Sequence, residues 1–238
     1  MRGLRDPGRI AGLWYLLLVA IGPLRLIYIP QKLFVRGDAT ATAANLVAHE
    51  QLFRLGIVTN LVGQIVLVLL TLAFYRLFRA VEPHLAALVV ILGGVMPALL
   101  GFATVVADAG ALLVAKGAPF LSVFDPRQRD AIVLLFLRLN DQQITASEIL
   151  WGAWLFPLAI LVYRSGFLPR FLGIWLALNG AAWVAMSLAG FLRPEASDRL
   201  YLIFQPALLG EIALVLWLLV RGAAPPARES PAGAAAAN

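Results

Sequence analysis

The sequence predicts an all-α fold: a polytopic membrane helical bundle of about six transmembrane helices, with two amphipathic helices at its outer face. Three observations predict it. Long apolar runs recur at residues 10–29, 56–75, 85–115, 171–192 and 201–220, with a shorter sixth at 149–163. A spanning helix needs ~20 mostly apolar residues, because each rises ~1.5 Å and the hydrocarbon core is ~30 Å thick. Hydrophobic residues make up 61% of the 238 and charged residues 13%, against ~25% charged in soluble domains. The arginines gather at the ends of the runs, where they anchor in the headgroups and set topology.

The elements follow in chain order. Arg2, Arg5 and Arg9 before an apolar stretch look like a signal peptide. No small-x-small cleavage site follows, and Arg25, Tyr28 and Pro30 come next, so the run reads as an uncleaved first span. Gly37-Asp38 is a helix-start signal, and residues 39–55 lack Pro and Gly, which predicts an outer helix running straight into the second span. Within it Glu50 precedes Arg54 by four residues, the favourable order for an ion pair. In the over-long third run, Gly93, Gly94 and Gly101 permit close packing, and Pro97 should kink the helix or free a carbonyl. Asp125 and Pro126 open a second outer helix over 125–147, with Ile132, Leu135, Phe136 and Leu139 on one face, leading into span four, which contains Pro157. Residues 1–221 form one transmembrane domain, and the Ala/Pro-rich segment 222–238 reads as a disordered cytoplasmic tail.

Six spans put both termini on one side. The terminal arginines, with Arg76, Arg79, Arg164 and Arg170 in short connections, favour the cytoplasm. Lys32 and Lys116 are the only lysines, and with the abundance of Ala this points to a GC-rich bacterium and its inner membrane.

Polar residues inside a bilayer carry the functional information. Glu211 falls near the middle of the last run, where a charged carboxylate costs at least ~2.5 kcal/mol unless paired, hydrated or protonated. Gln64 and Asn179 lie at similar depth. A second layer toward the outer face holds Arg25, Asp108, Arg54, Asn60, Gln205, Asn140, Asp141 and Glu148. Together these predict an outward-opening polar pocket, with Arg25 and Asp108 as an ion pair. The competing reading makes Glu211 a protonated packing residue and the outer arginines snorkelling anchors.

Several chemistries find no support. Cysteine is absent, and His49 and His84 lie outside the runs, against a haem held between helices. No second His follows His49 as a zinc motif requires, no lysine lies within a run, and no phosphate-binding glycine loop occurs. No cofactor or metal is expected. The formal charge of +6 sits mostly at helix ends, so nucleic acid is not an expected partner. Membrane lipids, a small amphipathic ligand and a second copy of the chain are.

Three motifs resemble one family. Arg9-Ile10-Ala11-Gly12-Leu13-Trp14-Tyr15-Leu16 resembles the opening of the bacterial integral-membrane proteins grouped as domain of unknown function 4386. Gly37-Asp38-Ala39-Thr40-Ala41-Thr42-Ala43-Ala44-Asn45, followed by Leu52-Phe53-Arg54-Leu55-Gly56, is similar to its outer helix and second span. Tyr163-Arg164-Ser165-Gly166-Phe167-Leu168-Pro169-Arg170-Phe171-Leu172-Gly173 is similar to its fourth-to-fifth turn. The resemblance covers roughly residues 9–220. It implies a multi-span bacterial membrane protein, and it supplies no activity or catalytic residue to carry over.

Three function classes stay open. One is a binder or transporter of a small amphipathic or lipid-like molecule in a pocket around Arg25, Asp108 and Glu211. The others are a non-catalytic scaffold and an intramembrane enzyme acting on lipid-like substrates. Arg25 facing a pocket open to one leaflet would favour anionic lipid. A sealed polar network favours the scaffold, and converging carboxylates favour the enzyme.

Overall fold

The computed structural model describes residues 6–224, the Asp198 side chain excepted. These form helices and short turns, with no strand among the described residues. Helix α1 is Pro7–Leu33, α2 Ala39–Ala48, α3 Glu50–Phe78 and α4 Pro83–Ala115. Then come α5 (Pro126–Ala153), α6 (Leu155–Arg164), α7 (Arg170–Leu192) and α8 (Ser197–Val220). Six segments are long and apolar enough to span a membrane, α5 and α6 together counting as one and α2 as none. Each span packs on its neighbour in sequence and α8 closes onto α1, so the six form a ring.

The ring is tied at the terminal side. The Asp6 carboxylate caps α1 by accepting the Arg9 N–H at 3.0 Å, and the same oxygen accepts the Ala223 N–H at 3.0 Å. The Gly8 N–H donates to the Ala223 carbonyl at 2.9 Å. Ala223 is thus buried and tied to α1, and the rest of the expected tail, residues 225–238, lies outside the described ones.

Prolines shape three of the spans. The π-helical turns Leu24–Tyr28 in α1 and Ile91–Val95 in α4 each stand two residues before a proline, Pro30 and Pro97. A proline has no N–H to give to the preceding turn, and a widened turn redistributes the remaining donors. Ile29 and Met96 donate five residues back, to Leu24 and Ile91. The first span therefore runs through Pro30 to Leu33 and does not end at residue 29. In span four, Pro157 leaves the Ala153 carbonyl without its usual donor, and the helix breaks at Trp154.

The outer helices hold one surprise. The expected continuous helix over 39–55 is broken at His49 (φ −117°, ψ 37°) despite lacking Pro and Gly. Tertiary packing overrides local propensity here. The bend seats Ala43 and Leu46 against Ile29, Leu33, Val133 and Leu137 in an apolar cluster at the far end. The second outer helix opens with a reciprocal Asp125–Gln128 capping box and continues unbroken to Ala153.

A larger cluster, with Tyr15, Phe74, Leu158, Leu172 and Leu214, fills the terminal half of the ring. The far cluster uses only α1 to α5 and the turn at Leu121, so α7 and α8 add nothing to it. Tyr201, Leu202 and Ile203 at the far end of α8 are correspondingly exposed.

Span four meets α7 through glycine. A Cβ on Gly180 would stand 2.8 Å from the Gly152 carbonyl oxygen, a distance no side chain tolerates. Gly180→Val should lower the thermal unfolding midpoint in detergent, with an overpacking cost of about 1–3 kcal/mol. An unchanged midpoint would contradict this close approach.

Candidate functional site

Between the two apolar clusters lies a polar layer, and within it a cavity of about 310 Å³. One stripe of span four lines it through Asn140, Ile144, Ser147, Trp151 and Trp154, spaced at alternating fours and threes. That is the spacing of one helix face. Helix α3 contributes Asn60, Gly63, Gln64 and Leu67 in the same way. The two π-helical turns bring Arg25, Leu26 and Gly93 to the wall.

At the far pole of the cavity, Arg25 and Asp108 pair. The guanidinium Nη2 donates to Asp108 Oδ2 at 2.6 Å, with the two residues 8% and 1% exposed. Asn140 Nδ2 donates to the other carboxylate oxygen at 2.6 Å. A second chain of donors lies beside it. Gln64 donates to Asn60 Oδ1 at 2.7 Å, Asn60 to the Thr104 hydroxyl at 2.7 Å, and Thr104 to the Gly101 carbonyl at 2.6 Å. A buried ion pair holds only when its remaining lone pairs and protons are satisfied, and Asn140 does this for Asp108.

The near pole is Glu211 on α8. Its Oε1 accepts from Asn179 Nδ2 at 3.2 Å and from Trp183 Nε1 at 3.2 Å, and its Oε2 accepts from the Tyr15 hydroxyl. Asn179 is fully buried behind the carboxylate, while Glu211, Tyr15 and Trp183 line the cavity. Tyr15 precedes Arg25 by ten residues in α1, which separates the poles by about 15 Å along the axis.

The structure brings together six of the ten residues singled out from the sequence: Arg25, Asn60, Gln64, Asp108, Asn179 and Glu211. It leaves four apart, each at a suitable depth and on another face. Arg54 is exposed and pairs with Glu50 at 2.7 Å. Asp141 lies in a separate cleft with Arg138, its partner at 3.7 Å. Glu148 is half-buried and Gln205 exposed, and neither lines the cavity. Sequence reasoning missed Tyr15, Thr104 and the three tryptophans. One signal was present: Trp183 follows Asn179 by four residues, on the same face.

Among the described residues a single carboxylate, Glu211, lines the cavity, and no three His, Asp or Glu side chains meet as a metal site.

The model of one family, Domain of unknown function (DUF4386), matches residues 10–222. No curated protein and no solved structure matches the chain. The chain belongs to the DUF4386 family, as its three motifs led us to expect.

Breaking the ion pair from one side should cost more than removing both partners. Arg25→Met and Asp108→Leu alone should each destabilise by about 3–5 kcal/mol, since each strands a buried charge. The double variant should unfold closer to the wild type, as read by thermal unfolding in detergent. Additive losses would argue against direct pairing.

Proposed function

We propose, from the cavity itself, that this member of a family of unknown function binds a small amphipathic, lipid-like molecule inside its helical ring. The observation that carries this reading is the cavity of about 310 Å³ at the polar layer. Bundles that exist only to pack close to the density of organic crystals and leave few voids larger than a water. Here apolar walls with a few convergent polar groups match the composition of small-molecule sites.

Access supports the same reading. Val19 and Leu26 line the cavity and are also 38% and 45% exposed, so the cavity reaches the outside of the bundle beside α1. In a bilayer that surface faces acyl chains, and a molecule dissolved in the membrane enters without crossing water. The scaffold reading asks for polar groups that only hold helices together, and the enzyme reading for two or more carboxylates converging on the cleft. A void lined by one carboxylate supports neither. We place the protein in the cytoplasmic membrane of a bacterium with its termini inside, on the strength of the arginines at the terminal side.

Gly63 provides the test. It lines the cavity, and a Cβ built there meets nothing within 4 Å, so a side chain can start into the void from this position. Native mass spectrometry of the protein extracted in mild detergent should show a discrete stoichiometric adduct. Gly63→Phe should lose the adduct and keep its thermal unfolding midpoint. A bare wild-type mass, or an adduct that survives in the variant, would remove the support for this function.

A further inference from the structure

The cavity holds one acid that no charged group faces. Arg25 would be expected to recognise an anionic headgroup, but Asp108 holds it at 2.6 Å and cancels it. Glu211 has no such partner. Its three donors, Tyr15, Asn179 and Trp183, are all neutral, and among the described residues it forms no ion pair. Neutral donors satisfy the lone pairs of a carboxylate and leave its unit charge uncompensated, which a low-dielectric site penalises heavily.

The surroundings of Glu211 are aromatic. Tyr15, Trp151, Trp154 and Trp183 line the same cavity. Tyr15 and Trp154 have ring centroids 6.0 Å apart, and Trp151 and Trp183 5.3 Å apart. Aromatic faces attract cations, Trp most strongly, and several faces grouped around one acid suit a bulky, weakly hydrated cation better than a metal ion.

The geometry points to an organic cation as the ligand: a quaternary or protonated amine with an apolar body, its charged head beside Glu211 and among these rings. This deepens the binding function proposed above and rests on it. The apolar body lies along the wall formed by Leu18, Val19 and Leu67. The neutral Arg25–Asp108 pair bounds the other end of the cavity.

The test varies ligand charge at near-constant shape. The full chain in phosphatidylcholine nanodiscs is titrated with benzyltrimethylammonium, phenylmethanesulfonate and benzyl alcohol, with binding followed by calorimetry and by the fluorescence of the lining tryptophans. The cation should bind saturably and at least about tenfold more tightly than the anion, as one uncompensated charge in a low-dielectric site requires. Glu211→Gln should erase that preference. If this variant fails to fold, Trp151→Leu serves in its place and should weaken the cation by a several-fold larger factor than it weakens benzyl alcohol; equal losses overturn the assignment. Equal or tighter binding of the sulfonate, or a preference that survives Glu211→Gln, overturns the cation assignment. Failure of all three probes alongside a co-purified adduct sensitive to Gly63→Phe also overturns it, and leaves the broader binding function standing. Failure of the probes with no such adduct removes both.

Discussion

The pairing of Arg25 with Asp108 organises the middle of this molecule. Neither charge is tolerable alone at that depth; satisfying both draws three helices to one level, and a fourth joins them through the Thr104 hydroxyl. Arg25 comes from α1, Asp108 and Thr104 from α4, Asn140 from α5, and Asn60 and Gln64 from α3. Apolar packing could slide these helices past one another by a turn at little cost. A buried ion pair with fixed partners could not, because a slip would strand both charges. The apolar clusters above and below it are continuous with that choice of register.

The backbone bends to the same end. Both π-helical turns widen a span just before a proline, and both sit against the cavity, one presenting Arg25 and the other Gly93. Gly93 lets Trp154 approach: a Cβ there would stand 2.7 Å from the indole. The proline defects thus serve to bring a long cation inward on one helix and to admit an aromatic ring on another. Backbone irregularity at membrane depth is tolerated where protein or cavity, and not lipid, surrounds it.

How much of this was legible in the sequence depends on what each signal measures. Run length and apolarity report depth along a helix, so the spans, the Arg25–Asp108 pair and the place of Glu211 well inside the sixth span could be read directly. Depth says nothing of the face. Arg54 lies six residues before Asn60, and Gln205 six before Glu211, which turns each about 120° away from the residue it was grouped with. Asp141 and Glu148 stand next to Asn140 and Ser147, about 100° around the helix from the lining stripe. The break at His49 left no local mark, because it is imposed by the cluster that α2 covers. The π-helical turns were similarly invisible, since a proline announces a lost donor and not how the helix will respond. Tyr15 and the tryptophans became site residues only once the ring brought them around the cavity.

The closure of the ring has a consequence for how the protein is made. The contact between α1 and α8 joins the first of these six spans with the sixth. It is held by the Gly8, Asp6 and Ala223 hydrogen bonds, with no covalent link at that seam. Chains emerge from the N-terminus onward, so α1 through α7 are in the membrane before Glu211 arrives. Until then Tyr15 and Trp183 lack their shared acceptor, and the ring stands open along one side. Insertion of the final helix is therefore the step that both completes the polar layer and seals the wall. A nascent chain halted just before Glu211 would carry Tyr15, Asn179 and Trp183 without the acid they share.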